Sequence, residues 1–110
     1  MPHIDALLPL YPDAASRRDL LQQALAQIRA DLSAIDSAIG TGDHPLARQL
    51  THRAKGTVSF LGNPETLHAF DTLTGALRAG DPVRIGQAYP PVEQGLLELQ
   101  AILQQRLHTL

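Results

Sequence analysis

The chain has 110 residues, 44% hydrophobic and 18% charged, which sizes it for one domain and leaves no room for a second sizeable core. Nine basic against eleven acidic residues give a formal charge of −2, the wrong sign for a nucleic-acid binder. With no cysteine and no tryptophan, and only two Tyr and two Phe, disulfide scaffolds, thiolate metal sites, cysteine nucleophiles, base-stacking platforms and carbohydrate clefts all drop out.

Leu, Ala and Gln dominate and β-branched residues are few, a helix-favouring composition that Pro and Gly cut into pieces. Residues 1–15 place Ile4, Leu7, Leu8, Leu10 and Tyr11 between Pro2, Pro9 and Pro12, predicting a short helical turn across the end of a bundle. Ser16 reads as an N-cap with Asp19 in a capping-box-like position. From there Leu21, Leu25, Ile28, Leu32, Ile35 and Ile39 recur in steps of four and three, the seam of an amphipathic helix that ends at Gly40 and Gly42.

Asp43 caps the next helix, with Pro45 in its first turn, and Leu61-Gly62 ends it. Asn63 is the expected cap of a third helix that starts at Pro64, turns Leu67, Phe70, Leu73 and Leu77 inward, and closes at Gly80. Asp81-Pro82 repeats the signal for the last segment, striped by Val92, Leu96, Leu99, Leu103 and Leu107. Pro90-Pro91 remove backbone donors inside it, so a kink or short break is expected near Tyr89. The prediction is one all-α domain spanning 1–110: a cap segment over 1–15, then an antiparallel four-helix bundle over 16–110 whose last helix is kinked.

The second helix carries the oddity. At about 100° per residue, Leu46, Ala47, Leu50, Ala54, Thr57, Val58 and Leu61 fill one sector of roughly 120°. Pro45, Arg48, His52, Lys55, Gly56 and Ser59 lie opposite, so His52 is a solvent-facing histidine in mid-helix. Lys55 and Gly56 follow it at i+3 and i+4 on the same face. A helical glycine costs about 1 kcal/mol relative to alanine, and here it empties the space beside the imidazole. Imidazole, with a reference pKa near 6.5, is substantially neutral at pH 7 and nucleophilic. A cation one turn away offsets the charge of phosphoryl oxygens attached to it. The plainer reading of the same wheel is a solvated face with a glycine that marks close helix packing.

Residues Thr51-His52-Arg53-Ala54-Lys55-Gly56-Thr57-Val58-Ser59-Phe60-Leu61-Gly62 resemble the signature of the histidine-containing phosphotransfer (HPt) family, His-x-x-Lys-Gly with a Leu-Gly or Phe-Gly end. Gly42-Asp43 before the motif and Gly80-Asp81 after the following helix extend the likeness over about residues 16–110. The resemblance implies that His52 accepts a phosphoryl group through Nε2, Lys55 stabilises it and Gly56 keeps the approach open. It also implies docking by response-regulator receiver domains over the motif helix, with Arg48, Gln49, Arg53 and Ser59 as partner-binding residues. The receiver would bring the aspartyl phosphate and Mg²⁺, and this chain would have no intrinsic cofactor and no ATP site. Ala54, where many relatives carry a larger apolar residue, and the Pro90-Pro91 pair depart from the family pattern.

Other sites are weak. His3, His44, His68 and His108 show no i, i+4 pairing, so no metal site is expected, and His44 reads as an exposed turn residue. Gly40-Thr41-Gly42-Asp43 lacks the lysine of a phosphate-binding loop, and there is no Gly-x-Ser-x-Gly elbow. Asp19, Asp31 and Asp36 read as solubilising charges, and Gln22 and Gln23 as neighbours of the docking face. No apolar run approaches the roughly 20 residues of a membrane span, and Met1-Pro2-His3-Ile4-Asp5 does not open a signal peptide. A cytoplasmic, monomeric relay domain is therefore the leading expectation, free-standing or excised from a hybrid sensor kinase, with the excised form favoured. An interaction module that never carries phosphate, and the kinase-phosphorylated HPt domain of a chemotaxis-type kinase, are the alternatives.

Overall fold

A computed structural model describes residues 2–110. They form no strand; the helices are α1 (Ile4–Leu7), α2 (Ala14–Gly40), α3 (His44–Leu61), α4 (Leu67–Ala79) and α5 (Pro82–His108), with 3-10 turns at Leu8–Leu10 and Pro64–Thr66. At 1.5 Å per residue the 27-residue helices α2 and α5 are about 40 Å long, and they account for the 47 Å long axis. Each long helix touches the next in the chain, and α5 returns against α2. Leu21, Ile28 and Ile35 of α2, Val58 of α3, Phe70 and Leu73 of α4, and Val92, Leu96 and Leu103 of α5 are fully or almost fully buried between them.

Aspartates start three of the four long helices. Asp43 Oδ1 accepts from the Leu46 N–H at 3.2 Å, and Asp81 Oδ1 accepts from the N–H groups of Val83 and Arg84. Each such cap contributes about 1 kcal/mol. Where Ser16 is the expected cap of the first long helix, the cap is Asp13, whose carboxylate accepts from the Ser16 N–H at 2.7 Å; the helix starts three residues earlier than expected, at Ala14. That hydrogen bond from Ser16 holds the Asp13 carboxyl below the usual carboxylate range.

Asn63 differs more sharply from expectation. It makes no side-chain cap, its Oδ1 is buried without a partner, and Pro64–Thr66 forms a 3-10 turn before α4 begins. Gly80, by contrast, ends α4 with φ +66, a left-handed conformation that glycine adopts without steric penalty.

The N-terminal segment is helical and seated, as its pattern predicts. Ile4 is fully buried, the His3 N–H donates to the Gly62 carbonyl, and Arg106 of α5 holds Asp5 at 2.7 Å. Arg17 of α2 donates from Nε to the carbonyls of both Leu8 and Tyr11. At the other site of expected irregularity, α5 runs without interruption through Pro90 and Pro91, so the short break near Tyr89 is absent. The carbonyls left without a donor belong to Gly86 and Gln87, four residues back, and both residues are exposed, which leaves these groups open to solvent.

Candidate functional site

The candidate site is built on α3, between α2 on one flank and α4 on the other. Two ion pairs set the registers. Arg53 Nη2 lies 2.7 Å from Asp31 Oδ1 on α2, and Lys55 Nζ lies 2.6 Å from Asp71 Oδ1 on α4. Counting antiparallel rungs from these pairs sets His52 level with Leu32 on α2 and with Thr74 on α4, and Arg48 level with Arg78. The same count sets Gln23 level with Leu61, roughly 14 Å along the axis from His52, which removes Gln22 and Gln23 from its immediate surroundings.

The face of α3 turned inward is close to the predicted one. Ala47, Ala54, Val58 and Leu61 are buried, but Leu46 is 41% exposed and Thr51 takes an interior position instead. Thr51 can be buried because its hydroxyl donates back to the Ala47 carbonyl at 2.7 Å, so no polar group is stranded.

His52 is exposed in mid-helix, as the wheel requires. It borders a groove of about 430 Å³ lined by Pro45, Arg48, Gln49 and His52 of α3 and by Thr74 and Arg78 of α4. A Cβ built on Gly56 meets nothing within 4 Å, so the glycine opens space over the helix and does not serve a close helix contact. Phe60, one further turn along, is 60% exposed, an apolar group on a face otherwise polar.

The expected partner-binding residues separate into distinct situations. Arg48 and Gln49 line the groove. Arg53 is committed to Asp31 through both Nε and Nη2. Ser59 is exposed, and its carbonyl accepts from His3 Nδ1 at 3.1 Å. Asp31 is not the solubilising charge its helix position implied: its side chain is fully buried, and Gln27 Nε2 also donates to Oδ1 at 2.9 Å. Nor is His44 an exposed turn residue; it is the first residue of α3 and half-buried.

Sequence reading missed Asp71, Thr74 and Arg78, which all lie on α4. A signal was there: two helices joined by a short connection run antiparallel, so residues equally far from Gly62-Thr66 face each other. Among the described residues no three His, Asp or Glu side chains gather as a metal site, and no helix is long and apolar enough to cross a membrane. No protein-family model, curated protein or solved structure matches the chain.

Chemically, the arrangement offers an exposed imidazole nucleophile, a groove wide enough for a tetrahedral anion and the guanidinium groups of Arg48 and Arg78 lining it, while the Lys55 ammonium lies one turn on, paired with Asp71. Thr74 supplies the one hydroxyl in the groove lining, turned back to the Phe70 carbonyl at 2.9 Å, and no carboxylate lines the groove.

Proposed function

We propose that the chain is a histidine phosphocarrier of a multistep two-component relay. A receiver-domain aspartyl phosphate passes its phosphoryl group to His52, and His52 hands it to a second receiver aspartate. What carries this reading is His52 itself, exposed at mid-helix beside a cation-lined groove with open space over Gly56. In the step, the Nε2 lone pair attacks phosphorus and the Nε2–P bond forms. The bond from phosphorus to the aspartyl oxygen breaks, its electron pair returns to that carboxylate, and the Nδ1 proton goes to water. The Mg²⁺ that assists such transfer belongs to the receiver's acidic pocket.

The scaffold for this role is read as an antiparallel four-helix bundle bent at Pro90-Pro91, the α2–α5 contact ring being its support. It acts as a monomeric cytoplasmic domain, free-standing or part of a sensor kinase. The HPt resemblance at His52, Lys55 and Gly56 supports the same reading from the sequence side.

The test is incubation with a phosphorylated receiver and Mg²⁺, followed by intact-mass analysis. One acid-labile phosphate that disappears in His52→Gln is the expected result. Absence of transfer from several receivers to a folded protein leaves an interaction module, for which exposed Phe60 is the natural anchor. Labelling only by a kinase domain with ATP turns the assignment to a chemotaxis-type phosphoacceptor.

A further inference from the structure

Three cations border His52, and they are not equivalent. Lys55 already has a counter-ion, with Nζ 2.6 Å from Asp71 Oδ1. Arg48 and Arg78 have none: among the described residues neither guanidinium has a carboxylate within 4.0 Å or any hydrogen-bond partner, and both line the groove that holds His52. Arg48 sits one turn before His52 on α3, and Arg78 stands level with Arg48 on α4. Two unpartnered guanidiniums facing one groove repel each other until an anion enters between them. What sets these two apart from the other unpaired arginines is that both line the groove bordered by His52, leaving a local positive site in a chain with a net charge of −2.

We infer that Arg48 and Arg78 form the clamp for the phosphoryl oxygens on His52, with Asp71 keeping Lys55 out of it. The inference rests on the phosphocarrier reading and reassigns the charge stabilisation within it. A phosphoryl group carries on the order of two negative charges near neutral pH. The guanidinium fork offers paired N–H donors that match its oxygens, where an ammonium offers only a point charge. Arg78 approaches from the neighbouring helix, so the clamp spans α3 and α4 and senses their register. Thr74, level with His52, has its hydroxyl turned back to the Phe70 carbonyl at 2.9 Å and leaves the middle of the groove to the anion.

The clamp can be measured without a receiver. Phosphoramidate phosphorylates exposed histidine directly: Nε2 bonds to phosphorus as the P–N bond to the leaving ammonia breaks. The label is assigned to His52 by its loss in His52→Gln, and the ³¹P resonance is then titrated with pH. Cations held against the oxygens favour the dianion, so Arg48→Ala and Arg78→Ala should each raise the titration midpoint by about one unit. Arg78→Lys should recover part of that shift. Lys55→Ala should leave the midpoint in place, and Asp71→Asn, which releases Lys55, should lower it. A midpoint that moves with Lys55→Ala and ignores both arginine variants overturns the clamp and leaves the carrier reading standing. Failure of any His52-dependent label to form overturns both. Normal clamp behaviour with no transfer from receivers overturns the relay alone.

Discussion

Arg53 on α3 donates from Nε and Nη2 to the same oxygen of Asp31 on α2, at 3.2 and 2.7 Å, while the other oxygen of that carboxylate is buried without a partner. The pair is lopsided: the Asp31 side chain has no exposure, whereas that of Arg53 is 53% exposed. Its contribution is therefore asymmetric. Freed of Asp31, Arg53 can turn to water; freed of Arg53, Asp31 is a buried charge held only by Gln27.

Arg53→Ala should cost about 2–3 kcal/mol in urea unfolding. Asp31→Asn, which keeps an acceptor for Arg53 and Gln27 and removes the buried charge, should cost clearly less. The reverse order would falsify the asymmetric account.

Gly56 offers a separation of stability from docking. Nothing lies within 4 Å of a Cβ at this position, so Gly56→Ala should raise stability by about 0.5–1 kcal/mol through helix propensity alone. Gly56→Leu should stay folded by circular dichroism yet accept phosphate from a receiver at least several-fold more slowly than Gly56→Ala. Equal transfer rates in the two variants would remove the access role from this glycine.

The N-terminal segment should detach with acid. The hydrogen bonds from Arg106, reinforced by its charge, hold the Asp5 carboxyl below its ordinary value of 3.8. The folded state thus binds this proton less readily than the unfolded chain. The pair's contribution is complete above pH 3.8 and fades as pH falls through the lowered folded value. Asp5→Asn should lower stability by about 0.5–1 kcal/mol at pH 7. The gap between the thermal melts of the two proteins should start to narrow as pH falls past 3.8 and close below the lowered folded value; a gap unchanged by acid would show that something other than the carboxylate charge is at work.

Tyr89 behaves in the opposite sense at alkaline pH. Burial, then the neighbouring charge of Asp36, pushes its phenol well above the ordinary value of 10.0, and the hydroxyl faces Asp36 Oδ1 at 3.4 Å. In a Tyr11→Phe background, absorbance at 295 nm should show no ionisation near pH 10 while the protein stays folded. Because the unfolded chain gives up this proton first, stability should fall as pH rises past 10.0.

Helix termini were readable where an aspartate directly before a proline-containing first turn, or a left-handed glycine, set them, as at Asp43, Gly80 and Asp81. They were misread at Ser16 and Asn63, where a neighbouring residue or a 3-10 turn took over the work of the cap. The exposure of His52 followed from periodicity alone, since a single apolar stripe fixes its opposite side. The fate of Asp31 did not: an aspartate on a helix edge looks the same in sequence whether its partner 22 residues away reaches it or not. Arg78 stayed hidden for a related reason. Its significance comes from the helix across the groove, and one-dimensional spacing weighs each helix by itself.

The prolines of α5 leave its helical turns uninterrupted but not its bonding. Two successive rungs of the ladder, at the carbonyls of Gly86 and Gln87, have no amide to receive. Amide exchange should therefore divide this helix into two cooperative units, with the stretch before Pro90 opening at lower free energy than the stretch after Pro91. A rod that spans the molecule would then transmit little strain from one pole to the other, and disturbance of the loop at Gly80-Asp81 would die out before it reached the pole where Arg106 fastens the N-terminal turn.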